Sequence, residues 1–448
     1  MKTLGIATKA LFKIFLPTLL ILAIGCKPNE TVIEKTIEKP VDEKIVKVDE
    51  TMTDAELADS GEQLLTFTTF PLAEKAFQMA LNKNPENLKA QFYSEGFLKV
   101  YTVYKGILTR IKPFVRKQGK LKELENLINS IPNVPARKYF LDGAEDIKTV
   151  SDLQNFFFEH QQNWNGFRKW LIKNYDKTLT LNLDPLFLLV NVGIEGKYAC
   201  EMIDEGTGKA ICNYNNVFQK KLGPADLMGL RQMVGGMVLY FSFFTSYNLE
   251  GFDKLATLDP DGKLSAKQSY QYLMDVNSNI FTLRQKNLLR ETISIGSDFS
   301  ESAKYAIKYQ KELCPKGSQV TRQRAGFLFH DGICVASDTE TDRSLKMLEQ
   351  VLSGPVKTAL VNRQGQRVET NVDFLSWFRN PTVDLKTIGP AEFDSCGRVS
   401  KLGDKTFGGI FKDKNAEDFM LEPVAGGAYC SQPMGLIVPG YNSNPTVQ

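Results

Sequence analysis

Residues 223–249 read GPADLMGLRQMVGGMVLYFSFFTSYNL. A helix that is apolar on every side must be enclosed by other structure or by lipid. Pro224 sits where a first helical turn tolerates proline. Arg231 and Gln232 interrupt the run, and the clean part falls short of the roughly 20 apolar residues a membrane span needs. The expectation is a buried central helix, with Gly235 and Gly236 letting a neighbour approach closely. A chain that must wrap such a helix is expected to be mainly α.

Other segments supply the wrapping. In SDLQNFFFEHQQNWNGFRKWLIKNY, Leu153, Phe157, His160, Trp164, Phe167 and Leu171 recur at steps of four and three, which makes one helical face. That stripe reads first as core. Its alternative is the wall of an apolar ligand cavity, with Phe157, Trp164 and Tyr240 as the lining. Leu88–Arg116 reads as one long periodic helix, and Ser265–Leu313 as a helix broken near Ile295-Gly296. Beyond Cys314, GFLFHDGICVAS and TALVNRQGQRVET read as strands and turns, with TDRSLKMLEQVL as a short helix between them. Gly, Pro, Asp and Asn are dense after Pro381.

Order is expected to begin at Thr53, which stands at capping-box spacing from Glu56. In the following stretch Gly61, Ala73, Phe77, Ala80 and Pro85 have the relative spacing of a tetratricopeptide (TPR) repeat, and the segment resembles that family over about one repeat. The resemblance implies two antiparallel helices that meet at the small residues, with the Phe between them and the Pro ending the second. The family's aromatic positions on the first helix are held here by Leu57 and Leu64. Repeat arrays need about three units, so the implication is a TPR-like hairpin within a helical body.

The N-terminus carries Lys2, Lys9 and Lys13 before an apolar run from about Ile14 to Ile24, the layout of a secretory signal peptide. Ala23-Ile24-Gly25-Cys26 resembles the lipobox of bacterial lipoproteins, although that family usually has Leu where Ala23 stands. The resemblance implies cleavage after residue 25 and palmitate-like acyl chains on Cys26. Each buried CH₂ contributes about 0.8 kcal/mol, so several chains hold a soluble body at a bilayer. Lys27 after the Cys fits sorting to the outer membrane, facing periplasm or surface. The chain has 55 basic and 52 acidic side chains, and those three lysines account for the whole excess. The remaining chain is balanced, which argues against nucleic acid as partner. Residues 27–52 mix Lys and Glu with isolated Val and Ile and read as a tether, with a short amphipathic helix or strand as the alternative. Extended, the tether reaches about 80–90 Å.

Cys26 aside, six cysteines remain: Cys200, Cys212, Cys314, Cys334, Cys396 and Cys430. An even number behind an export signal suggests disulfides, and the connectivity stays open among 15 possibilities. Pairing of neighbours is the simplest choice, and Cys200 with Cys212 flank a hairpin-like Glu205-Gly206-Thr207-Gly208 turn.

The catalytic inventory is thin. The two histidines are His160, on the aromatic stripe, and His330, beside an expected strand. GTGK at 206–209 lacks the first glycine and the hydroxyl residue of a phosphate loop, with Ile203 and Ala210 in those places. LDPDGKLS at 258–265 offers Asp259 and Asp261 around Gly262, but Thr257 and Gln268 replace the first and last calcium ligands. No cofactor, metal site or catalytic residue is expected. The resulting layout is a signal peptide at 1–25 and the lipidated Cys with its tether at 26–52. A helical TPR-like domain follows at 53–313, with a hairpin insertion near 195–215, then a smaller disulfide-stapled mixed α/β region at 314–448. The expected function is a membrane-anchored, non-catalytic protein-binding scaffold. The alternatives are a ligand-binding accessory component of a transport system, whose partner is an apolar small ligand, and a cell-envelope hydrolase using a carboxylate pair.

Overall fold

The computed structural model describes residues 48–65, 69–130, 135–183, 200–203, 210–212, 218–259, 263–313 and 338–421. The expected signal peptide, Cys26, most of the tether, Cys314, His330, Cys334 and Cys430 lie outside them. The fold is mainly helical.

Helix α1 (Asp54–Gln63) starts at Thr53, whose hydroxyl accepts the Glu56 N–H while the Glu56 carboxylate accepts the Thr53 N–H. Helix α2 (Phe70–Lys83) has Pro71 in its first turn and runs back beside α1, so that Asn84 reaches Asp54 at 2.9 Å and Lys83 reaches the Met52 carbonyl at 2.8 Å. Leu57, Ala73, Phe77 and Ala80 are fully buried. The Phe77 ring lies against Gly61, where an added Cβ would stand 2.7 Å from it. Pro85 follows just after the helix ends. Gly61→Val is therefore expected to cost about 1–3 kcal/mol through overpacking, read as a fall in the urea midpoint at unchanged slope.

The segment expected as one helix over Leu88–Arg116 is broken. It comprises α3 (Leu88–Gln91), a π-helical turn (Phe92–Phe97), α4 (Leu98–Thr102), α5 (Ile107–Arg110) and α6 (Lys112–Lys117). The break falls at Gly106, which adopts φ +69° and lies against the backbone of Gly143. A Cβ there would lie 2.4 Å from the Gly143 Cα. Periodicity cannot register a backbone contact from 37 residues away.

After α7 (Leu121–Ser130) and α8 (Pro135–Leu141) come the long helices. They are α9 (Val150–Asn174), α10 (Pro224–Ser246) and α13 (Lys286–Leu313). Helix α10 packs along both α9 and α13. Gly235 admits α13, with Ile295 Cγ2 3.2 Å from where a Cβ would be. Between α9 and α10, β1 (Leu179–Leu183) pairs antiparallel with β4 (Phe218–Leu222). Inside that loop, β2 (Cys200–Ile203) pairs with β3 (Ala210–Cys212), with Cys200 opposite Cys212 in register.

Helices α11 (Phe252–Leu258) and α12 (Ala266–Val276) precede α13. Asp259, weighed above as a calcium ligand, instead accepts the N–H groups of Lys263 (2.6 Å) and Leu264 (2.9 Å). The expected break at Ile295-Gly296 is not there, since α13 runs through it and Gly296 makes room for Leu352. The chain leaves the helix earlier, over residues 277–285. There Thr282 and Leu283 form bridges to Asp384 and Tyr247, and Phe281 turns at φ +66°.

The C-terminal part contains α14 (Asp338–Ser353), the hairpin β5 (Val356–Val361) and β6 (Arg367–Val372), and α15 (Ser376–Arg379). It continues through the pair β7 (Pro390–Phe393) and β8 (Val399–Leu402) to α16 (Glu417–Met420). It has a small core of its own, in which Phe411 stacks on Phe419 at 5.2 Å between centroids. Cys396 lies between β7 and β8, and its N–H donates to Asp394 at 2.9 Å. This part is tied to the body through Tyr247, whose hydroxyl donates to the Thr382 carbonyl (2.8 Å) and accepts from the Trp377 indole (2.9 Å).

Candidate functional site

Helix α9 carries two stripes. The first is the aromatic one read from periodicity. It meets α10 through Phe157, whose ring lies 5.6 Å from Phe241 and 6.2 Å from Phe244. Tyr240 meets the same two rings from its own helix, at 5.4 and 4.9 Å. Phe157 and Tyr240, two of the three expected cavity-wall residues, thus share partners. Trp164 packs at the edge of the same core, with a buried indole N–H that has no hydrogen-bond partner.

His160 is the least conventional member. It is fully buried, and neither ring nitrogen has a hydrogen-bond partner. Aromatic rings enclose it: Tyr104 at 4.1 Å, Phe156 edge-on at 4.9 Å and Phe241 stacked at 5.1 Å. Burial first, and the Arg110 cation second, hold its pKa down at about 3. Among the described residues no acid or base is hydrogen-bonded to it, so the ring is placed to be neutral rather than to move protons in a reaction. The Tyr104 phenol beside it is pushed well above its ordinary range, chiefly by burial, with Tyr101 and Tyr240 close enough to add to the effect.

The second stripe was not read from the sequence. Gln161, Asn165 and Arg168 face α10 and α13 and are buried. Arg168 donates through Nε to Asp298 at 2.5 Å and also to Ser294 at 3.2 Å. Arg231 of α10 pairs with the other oxygen of Asp298 and with Glu301 at 2.9 Å. Asn165 donates to Glu291 at 3.0 Å, and Gln161 donates to Glu291 and to Ser242. One carboxylate, Asp298, is thus gripped by two arginines whose side chains are 5% and 4% exposed. The polar steps of four and three at 161, 165 and 168, together with a charge inside the apolar helix at 231, were the available signal. A buried arginine requires an acid.

This seam locks α9, α10 and α13 together and fixes which face of α10 points outward. Met233 and Phe243 are each 60% exposed, and Gly236, Met237, Leu239 and Tyr240 between them are half-buried. Positions 233, 236, 240 and 243 step by three, four and three, and none is charged. By length and composition, Asp226–Ser246 could cross a membrane, yet half of its apolar window is buried inside the fold. Among the described residues no cluster of three or more His, Cys, Asp or Glu is placed to hold a metal. Comparison with known proteins finds no matching family model, no matching characterised protein and no matching solved structure.

Proposed function

We propose that this chain is an exported, lipid-anchored, non-catalytic binding protein that receives an apolar helix of a protein partner on the outer face of α10. The observation that carries the reading is the uncharged stripe from Met233 to Phe243, exposed at its two ends and half-buried between them. Large exposed apolar patches mark interaction sites. A seam stepping by three and four is the spacing a second helix fits, and an uncharged seam asks for an apolar partner. The lipobox-like Cys26 and the tether keep this face near a membrane. The α1–α2 hairpin is read as TPR-like on the packing of Phe77 against Gly61. Neighbour disulfides, Cys200–Cys212, Cys314–Cys334 and Cys396–Cys430, belong to the same proposal. For the first pair the facing register is the support.

The test uses full-length protein isolated in mild detergent from its own membranes. Native mass spectrometry of the wild type is expected to show a stoichiometric complex with one second protein. The Met233→Asp/Phe243→Asp variant, with unchanged circular dichroism, is expected to come off without it. Wild type and variant both alone, or both with the same companion, would overturn the docking reading. Cys26→Ser is expected to leave the membrane fraction, and its retention there would overturn the anchor.

A further inference from the structure

Among the described residues, a protonated His160 meets no hydrogen-bond acceptor in the closed fold. Tyr104, which follows α4, covers it at 4.1 Å, and its phenol is neutral. Helix α5 contributes Arg110, a cation whose charge opposes a second one nearby. Its guanidinium also sits 5.3 Å from the Phe156 ring that touches His160. Helix α10 presents Phe241, flanked by the neutral phenol of Tyr240, and α9 itself presents Phe156. Among the described residues the charged group that acts on His160 is Arg110, and no carboxylate stands beside it in that role. Aromatic faces attract a cation by about 0.5–2 kcal/mol, which is less than the cost of taking an imidazolium out of water without a partner.

We propose that His160 is a proton-operated latch: its neutral ring closes the contact between α9, α10 and Tyr104, and acidification opens that contact and disturbs the docking face of α10. The route is short. Phe241 stacks on His160, and both Tyr240 and Phe244 of the outward-turning side of α10 touch the rings that Phe241 and Phe157 anchor. The regulatory half of this inference rests on the docking reading above, whereas the latch itself does not.

The direction follows from linkage. In an opened state the imidazole has its ordinary value of 6.5, while in the closed state it stays neutral down to about 3. Between those limits only the open form gains a proton as pH falls, so opening is favoured about tenfold per pH unit. Above 6.5 the latch is indifferent to pH.

With His160 and His330 the only histidines, ring-¹⁵N-histidine labelling gives two imidazole spin systems, each with two nitrogens, and His330→Gln assigns them. In the full chain the folded-state His160 signal is expected to remain neutral at pH 5. Amide exchange over 150–174 and 224–246, corrected for its intrinsic pH dependence, is expected to show opening rising about tenfold per unit below 6.5. His160→Phe is expected to remove that slope. A folded-state imidazole that titrates near 6.5 with protection unchanged would overturn the latch, and so would an equal slope in His160→Phe. The labelled wild type alone decides the matter should the variant not fold. A partner held at neutral pH by the wild type and released on acidification, but retained by His160→Phe, is expected if both readings hold. No partner at neutral pH counts against docking and leaves the exchange result standing by itself.

Discussion

Asp298→Asn is expected to destabilise the protein by about 3–5 kcal/mol, because it leaves two buried guanidinium groups without their carboxylate. Arg168 and Arg231 are nearly free of solvent, and each holds one oxygen of Asp298. Glu301 cannot replace it, since that side chain is 59% exposed and, of the two arginines, pairs with Arg231. Removing all three charges together is expected to be milder. Arg168→Met/Asp298→Leu/Arg231→Met exchanges an ion cluster for packing, an exchange that is often neutral or stabilising. Urea midpoints of the wild type, the single variant and the triple variant check this. A loss below about 1 kcal/mol for Asp298→Asn, the value of an exposed pair, would show that the seam is not the lock between α9, α10 and α13.

Phe77→Ala is expected to cost about 3–5 kcal/mol, the range for truncating a fully buried aromatic. The ring fills the approach of α1 and α2 at Gly61 and stacks on Tyr93 at 4.9 Å, so the loss removes two contacts and leaves a hole. Tyr93 in turn donates to the buried Glu62 carboxylate at 2.7 Å, which also receives Lys89 at 2.9 Å. The damage should therefore spread to the π-helical turn at Phe92–Phe97. Amide exchange is expected to rise over residues 54–63 and 88–102 more than over 150–174. A uniform rise across all three would contradict a local hairpin contact.

These two sites show what the sequence could and could not say. The hairpin was legible because its determinants, from Thr53 to Pro85, lie within one continuous stretch and act through local spacing. Helices α9 and α10 were legible for the same reason, the first through its periodicity and the second through a nearly continuous apolar run behind Pro224. The lock between them was not, because Arg168 and Asp298 are 130 residues apart and pairing is set by tertiary packing. Gly106 and Gly296 illustrate the same limit in opposite directions. The first ends a periodic run at the point where the Gly143 backbone lies beside it, and the second stands inside a helix where Leu352 occupies the space of a side chain. On the site, Phe157 and Tyr240 were singled out for their aromatic character and do share partners. The reason His160 is neutral, a cage drawn from Tyr104, Phe156 and Phe241 with Arg110 behind it, depends on three separate segments.

The central claim is that the outward face of α10 is a docking face. It is tested most directly by placing the photoreactive p-benzoyl-phenylalanine at Phe243 of the full-length protein in its native cells. Lys169, exposed on α9, serves as the control position. Irradiation is expected to give one discrete protein adduct from position 243, lost on adding Met233→Asp, and none from position 169. Adducts to lipid alone, no adduct, or the same products from both positions would contradict the account.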